Sequence, residues 1–203
     1  MTALTPKKMY ITIILMALNV LAFALVEITG SSEDGRHMYE CGAMLTSSVE
    51  EGEIWRIASA MFLHFGFLHL ANNLLVLFAV GSFLEGGVGH LRTALIYIVS
   101  GLGANAASYL WHHIRGEEVL SAGASGAVFG LMGAMVFAGL FARDRLGPLS
   151  IRQVVLMLIL SLYHGAGGGV DDIAHISGLF IGFLAAFILL KLPPQNKKEE
   201  PAL

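Results

Sequence analysis

Long apolar segments alternate with short polar connections along the whole chain. A helix needs about 20 residues to cross about 30 Å of hydrocarbon. The pattern therefore predicts an all-α, polytopic membrane protein built as a bundle of six transmembrane helices. We place these helices near Tyr10–Ile28, Ile57–Leu84, Thr93–Trp111, Ser121–Phe141, Ile151–Tyr163 and Ile173–Leu190. The fifth is short by this measure, so it starts earlier, tilts or does not cross completely.

The first apolar segment has a second interpretation, as a signal peptide. Lys7 and Lys8 precede the segment, and Ala22-Phe23-Ala24 resembles a cleavage site. The apolar run continues beyond this point, which favours a helix that stays in the membrane.

The composition agrees with a membrane protein and excludes several other classes. Of the 203 residues, 56% are hydrophobic and 13% are charged, whereas a soluble domain carries about 25% charged residues. The mean hydropathy is +0.72. The net charge of −3 gives no indication of nucleic-acid binding. Because Cys41 is the one cysteine, neither an intrachain disulfide nor a cysteine-rich metal cluster can form.

Lysine and arginine residues in the connections predict the orientation, because cytoplasmic connections carry an excess of both. One side would hold nine of them, namely Lys7, Lys8, Arg92, Arg143, Arg145, Arg152, Lys191, Lys197 and Lys198. The other side would hold Arg36, Arg56 and Arg115. This favours an even number of spans with both termini in the cytoplasm. Residues 1–192 are then the membrane domain, and residues 193–203 are predicted to be a disordered cytoplasmic tail.

Strongly polar side chains inside the predicted helices are few, and such residues are functional candidates in a membrane. They are His64, His69, Asn72 and Asn73 in the second helix, Asn105 in the third, Ser125 in the fourth, and His175 and Ser177 in the sixth. The second, fourth and sixth helices all run from outside to inside. The polar residues near the starts of these helices are therefore predicted to share one layer below the outer surface. They are His69, Asn73, Ser125 and His175.

Glycines recur at intervals of four residues in the fourth and sixth predicted helices. They are Gly126 and Gly130 in the fourth, and Gly178 and Gly182 in the sixth. Stripes of small residues let helix backbones approach closely in lipid. Contact between these two stripes would bring the serine and the histidine of the polar layer together.

The serine and the histidine suggest covalent catalysis. A serine hydroxyl becomes a good nucleophile when a base takes its proton, and neutral histidine is suited to that task near pH 7. We therefore predict a catalytic dyad of Ser125 and His175, with Phe129 packed against the imidazole ring. No third member is evident, because Asp171 and Asp172 are expected to lie higher, in the outer loop.

Attack on a carbonyl group creates an oxyanion, which needs hydrogen-bond donors already in place. The segment GASG at positions 123–126 precedes or opens a helix, where backbone N–H groups lack intrahelical partners. The N–H groups of Ala124 and Ser125 are predicted to point at the oxyanion. His69 and Asn73 are predicted to add side-chain donors.

The same polar residues also have purely structural interpretations. Ser125 could donate to a carbonyl one turn back in its own helix, and His175 could be satisfied by a neighbouring helix. His69 and Asn73 could bond each other or brace the first loop. His64 lies off the face of His69 and is better explained by a structural hydrogen bond.

Other polar and aromatic residues are assigned structural roles. Asn72 and Asn105 are expected to make interhelical hydrogen bonds. Trp55 is expected to anchor the chain at the membrane interface and Arg56 to brace the first outer loop. Cys41 is expected to be a free thiol.

Four motifs occur in order along the chain, and together they resemble a known family. They are Trp55-Arg56, His64-x4-His69-x3-Asn73, Gly123-Ala124-Ser125-Gly126 and Ala174-His175-x2-Gly178-x3-Gly182. Each is weak alone, but all four on alternate predicted helices resemble the rhomboid family of intramembrane serine proteases, in its bacterial six-helix form.

This resemblance implies a six-helix bundle embedded in a bacterial inner membrane, with a water-filled cavity open to the outer side. It implies Ser125 as nucleophile and His175 as base, with an oxyanion hole formed by His69, Asn73 and the Ser125 amide. The supporting residues would be Gly123, Gly126, Phe129 and Gly178. Substrates would be single-pass membrane proteins, cut in or near the span at small residues. No metal, cofactor or nucleic acid is implied.

Two other classes of function stay open at this point. A non-cleaving relative would bind transmembrane helices without cutting them, and it would be expected to lack the serine or the histidine. A small transporter usually shows repeated halves, and no repeat is evident. A metal-dependent membrane enzyme using His64, His69 and His175 would need ligands at tighter spacing.

Overall fold

A computed structural model describes residues 9–142 and 171–191 of the chain. The predicted fifth helix, Ile151–Tyr163, and the predicted tail at 193–203 lie outside the described residues. The count of six spans therefore stays a prediction.

Five apolar helices form the bundle in the described part of the chain. They are α1 (Tyr10–Thr29), α5 (Gly66–Val88), α6 (His90–Arg115), α7 (Ser125–Phe141) and α8 (Asp172–Lys191). Four of them, α1, α5, α6 and α8, are long and apolar enough to cross a membrane, and α7 is a shorter apolar helix. The predicted all-α membrane bundle is confirmed at this level.

The second predicted helix begins later than expected. We expected it over Ile57–Leu84, but α5 begins at Gly66 and is preceded by α4 (Arg56–Ser59) and a 3-10 turn (Ala60–Phe62). The chain leaves the helical conformation at Leu63, which is extended, and the Leu63 side chain packs in a cluster with Val26 and Met38. Leu63 is buried, and because the chain breaks at this residue within the predicted run, His64 precedes the helix.

The connection between α1 and α5, which the charge distribution predicts to be the first outer loop, is folded rather than extended. It contains α2 (Gly35–Glu40), β1 (Met44–Leu45), α3 (Thr46–Glu50) and α4. β1 pairs in antiparallel register with β2 (Leu120–Ser121), so that Met44 lies opposite Ser121. The first outer loop is thereby joined to the segment that leads into α7.

Arg56 holds the first outer loop, as predicted. Its side chain is buried and its Nη1 donates to the carbonyl oxygens of Tyr39 at 2.7 Å and Ala43 at 2.9 Å. Its guanidinium also pairs with Glu53 and lies 4.1 Å from the centre of the Tyr39 ring. A buried charge is tolerated only when it is paired and hydrogen-bonded, and Arg56 meets both conditions.

α7 occupies the centre of the bundle. Almost every side chain from Gly126 to Ala138 is buried, and α7 packs against α5, α6 and α8. A helix that is apolar on all sides belongs in the interior of a bundle. α1, by contrast, exposes large apolar side chains such as Leu21 and Leu25, as expected of a helix that faces lipid.

The backbones of α7 and α8 are in direct contact through glycines, as the glycine stripes predict. A Cβ atom added to Gly178 would lie 2.1 Å from the Gly126 carbonyl oxygen, and one added to Gly182 would lie 1.9 Å from that of Gly130. No side chain larger than hydrogen fits at either position. The serine and the histidine of the polar layer stand at the outer end of this contact.

A buried carboxylate of α5 binds the N-terminal end of α1. Glu85 of α5 accepts hydrogen bonds from the Ile11 N–H and the Thr12 N–H, both at 2.8 Å, and from Thr12 Oγ1 at 2.6 Å. The first N–H groups of a helix have no partner within it, and this carboxylate supplies one. Sequence reasoning did not single out Glu85.

We expect Gly182→Ala to destabilise the bundle, because the new methyl group would collide with the backbone of α7. Overpacking of a core costs about 1–3 kcal/mol, and backbone yields less readily than a side chain. The matched control is Gly103→Ala in α6, where the added Cβ meets the tip of the Ile181 side chain at 2.6 Å. Thermal unfolding in detergent, followed by far-ultraviolet circular dichroism, should show a clearly larger loss for Gly182→Ala. Equal losses would contradict the packing described here.

Candidate active site

The segment that leads into α7 is held by backbone contacts. Gly123 has a φ of +152°, a conformation that side-chain-bearing residues rarely adopt, and its N–H donates to the Ala60 carbonyl at 2.9 Å. α7 begins at Ser125, as the sequence predicts for a GASG segment that opens a helix. Ser125 is half-buried, and its backbone N–H belongs to the first turn, where intrahelical partners are lacking.

His69 lies beside Ser125 across Gly123. A Cβ atom added to Gly123 would lie 3.1 Å from His69 Nε2 and 3.5 Å from Ser125 Oγ. Both polar atoms therefore border the same small space, and a side chain at position 123 would fill it. The glycine keeps this space open.

His64 makes a structural hydrogen bond, as predicted. It is buried, its Nε2 accepts from the Ala124 N–H at 3.4 Å, and its ring meets that of His69 edge-on, with centres 5.2 Å apart. The Ala124 N–H, predicted as an oxyanion donor, is therefore already engaged by a protein acceptor. The N–H of Ser125 is the remaining backbone candidate.

His175 is buried in the first part of α8 and stacks on Phe129, as predicted. The two ring centres are 4.2 Å apart and the planes are inclined by 8°, so the aromatic ring fixes the plane of the imidazole. Neither ring nitrogen has a hydrogen-bond partner within the described part of the chain. The Ser125–His175 hydrogen bond is accordingly not formed in this structure. Catalytic hydrogen bonds are often long in a free enzyme and tighten when substrate binds.

The three asparagines singled out within the predicted second and third helices differ in their surroundings. Asn73 is buried and its Nδ2 donates to the His69 carbonyl at 3.0 Å, one turn back in α5. Asn72 is exposed. Asn105 donates to the Ile57 carbonyl at 2.8 Å, which links α6 to α4 as its predicted structural role requires.

A cavity of about 430 Å³ opens beside the serine. Its lining includes Phe65, His69, Asn105, His112, Ser125 and Asp171. At its rim His112 Nδ1 lies 2.8 Å from Glu117 Oε2, and Arg115 donates to the same carboxylate at 2.6 Å. The hydrogen bonds from Arg115 and then His112 hold the pKa of the Glu117 carboxyl below its usual value.

Sequence reasoning missed the position of Asp171. It was expected to lie in the outer loop above the site, but it lines the same cavity as Ser125. Its Oδ1 accepts from the Ala174 N–H at 2.9 Å, and its Oδ2 accepts from Ser121 Oγ at 3.1 Å. An aspartate directly before an apolar helix is a typical N-cap, and this signal could have placed it.

No group of three or more histidine, cysteine, aspartate or glutamate residues suited to hold a metal ion occurs within residues 9–142 and 171–191. His64, one of the three histidines considered as ligands, already accepts from a backbone amide.

Comparisons with known proteins agree on one family. The model of the Rhomboid domain matches residues 51–192. Rhomboid protease GluP of Bacillus subtilis is 36% identical over 88% of this chain and 34% of its own length. RHOMBOID-like protein 5 of Arabidopsis thaliana is 40% identical over 75% of this chain and 49% of its own length. The putative rhomboid protease YdcA of Bacillus subtilis is 32% identical over 70% of this chain and 71% of its own length. The chain thus spans between a third and a half of the length of the first two relatives.

We expect His64→Ala to destabilise the protein, because the buried Ala124 N–H would lose its acceptor. An unsatisfied buried donor costs about 1–3 kcal/mol. His113→Ala is the control, since His113 is 41% exposed at the outer surface. Chemical unfolding in detergent measures both variants, and a His64→Ala protein as stable as the His113→Ala protein would show that the hydrogen bond contributes nothing.

Proposed function

Because the chain belongs to the rhomboid family and is an integral membrane protein, we propose that it is an intramembrane serine endopeptidase. Its substrates are single-pass membrane proteins, cut in or near the transmembrane segment. The observation that carries this proposal is the glycine contact between α7 and α8, at one end of which lie Ser125, which lines a cavity, and His175, which stacks on Phe129. Two of the relatives are named as rhomboid proteases, which supports the same reaction class.

The proposed reaction uses Ser125 and His175 as a dyad. His175 takes the proton from Ser125 Oγ while the oxygen attacks the carbonyl carbon of the scissile bond. The protonated imidazole then gives its proton to the leaving amine, and a water molecule activated by the same histidine releases the acyl group. Phe129 stacks on the imidazole and keeps it in one plane, and the reaction requires the open Ser125–His175 hydrogen bond to close.

The proposed oxyanion hole combines the Ser125 N–H with the side chains of His69 and Asn73. The position of His69 beside Ser125 across Gly123 supports its part. Asn73 has a second N–H in addition to the one that it donates to the His69 carbonyl. Ala124 takes part only when its N–H is released by His64.

The membrane environment determines the class of substrate. The described helices α1, α5, α6 and α8 expose apolar side chains, and a substrate reaching Ser125 has to approach through lipid. We propose the bacterial inner membrane as the location, with both termini in the cytoplasm and the cavity on the outer side. Small residues at the cleavage point fit a half-buried nucleophile.

One observation favours a second candidate, a non-cleaving member of the family that binds transmembrane helices. The imidazole nitrogens of His175 have no partner in the described part of the chain, so the dyad is open. Cleavage assays separate the two candidates, because binding without cleavage needs neither Ser125 nor His175.

We expect the wild-type protein in detergent to cleave a model single-pass substrate, and Ser125→Ala and His175→Ala to show no detectable cleavage. A serine-directed phosphonate should label the wild type and leave Ser125→Ala unlabelled. Full activity in either variant would refute the dyad. Retention of the substrate by a wild type that never cuts it would favour the non-cleaving candidate.

The part of Asn73 in the oxyanion hole has its own test. Removal of one oxyanion donor typically lowers kcat by about 100- to 1,000-fold, and we expect Asn73→Ala to fall in this range. Asn72→Ala is the matched control, because Asn72 is the preceding residue of α5 but is exposed. If both variants cleave at the wild-type rate, Asn73 serves helix packing alone.

A further inference from the structure

We propose that Asp171 is a positioning residue that fixes the separation between the nucleophile and the base. The inference rests on the proposed function and names a residue that the dyad and the oxyanion hole do not include. Asp171 directly precedes α8 and lines the cavity beside Ser125.

Asp171 holds the turn of α8 that carries His175. Its Oδ1 accepts from the Ala174 N–H at 2.9 Å, and its backbone carbonyl accepts from the His175 N–H at 3.1 Å. A carboxylate at this position also interacts favourably with the positive end of the helix dipole. The start of α8 and the backbone of His175 therefore move with Asp171.

The second carboxylate oxygen reaches two other elements. Oδ2 accepts from Ser121 Oγ at 3.1 Å and from the hydroxyl of Ser108, a buried residue of α6. Ser121 ends β2, four residues before Ser125. One carboxylate thus links three parts of the structure. They are the segment that leads to Ser125, helix α6 and the first turn of α8, which carries His175.

This arrangement requires a carboxylate rather than an amide. Asn offers one acceptor oxygen and an NH2 group that can only donate, so it can cap α8 or accept from the two serines but not both. Hydrogen bonds to an ionised acceptor are also about twice as strong as neutral ones.

Loss of these contacts should change the rate of attack more than substrate binding. The Ser125–His175 hydrogen bond is open in this structure, so its closure depends on the relative position of α8 and the β2–α7 segment. A displacement of about 1 Å at reacting groups can lower a rate by about 100-fold.

The test compares Asp171→Ala and Asp171→Asn with the control Glu118→Gln in the full-length protein. Glu118 also accepts from a serine of another element, Ser47 Oγ at 2.5 Å, but it has no part in the site. We expect kcat on the model transmembrane substrate to fall by about 10- to 100-fold in both Asp171 variants, with KM changed less than about 3-fold. The rate of phosphonate labelling should fall in parallel. Glu118→Gln should match the wild type.

A double-mutant cycle separates positioning from general stabilisation. Ser121→Ala should lower kcat, and adding it to Asp171→Ala should lower kcat no further, because Asp171→Ala has already removed the contact with Ser121. If Asp171→Ala does not fold, Asp171→Asn and Ser121→Ala decide the question. Wild-type kcat in these two variants, with Ser125→Ala inactive in the same assay, would overturn the inference and leave the dyad standing. A wild type that neither cleaves nor reacts with the phosphonate removes the proposed function and this inference together.

Discussion

The backbone contact between α7 and α8 is the constraint on which the rest of the structure depends. At Gly178 and Gly182 an added Cβ would lie about 2 Å from a carbonyl oxygen of α7. Lipid provides no hydrophobic drive for two apolar helices to associate, so close van der Waals packing has to hold them. The contact therefore forms because these two positions carry no side chain, and any larger residue would separate the helices.

Close backbone packing explains how two polar side chains from distant parts of the chain come to share one layer. Ser125 starts α7 and His175 lies in the first turn of α8, so the register of the glycine contact also sets the register of the site. Phe129 lies one turn below Ser125 and stacks on the imidazole. The packing residues and the site residues are thus interleaved on the same two helices, and neither set can change without affecting the other.

Residue spacing alone was enough to predict much of this arrangement. The glycine stripes, the helix start at GASG and the Phe129–His175 contact follow from periodicity or local chemistry, whereas the role of Arg56 in the first outer loop was suggested together with the rhomboid resemblance. The break before Gly66 was not predicted. Leu63 leaves the helix to pack against Val26 and Met38, a contact without a local signature, although Gly66, with a φ of +77°, is a residue type that marks such breaks. The role of Ser125 and His175 in a reaction stays a prediction, since the structure shows which residues surround them and not whether they react.

Capping contacts were harder to foresee than packing contacts, and the two examples have a common physical cause. Glu85 binds the first N–H groups of α1, and Asp171 binds that of Ala174 in α8. Glu85 reaches donors 73 and 74 residues away in the sequence, and Asp171, besides capping the helix that follows it, accepts from Ser121, 50 residues away. Sequence patterns do not show partners at such separations. The apolar faces of helices in a membrane bundle have similar hydropathy, so hydropathy does not specify which faces meet. A carboxylate is more specific, because it accepts hydrogen bonds only from donors within its reach. Glycines therefore set how closely α7 and α8 pack, while Glu85 and Asp171 set where α1 and α8 begin relative to their neighbours.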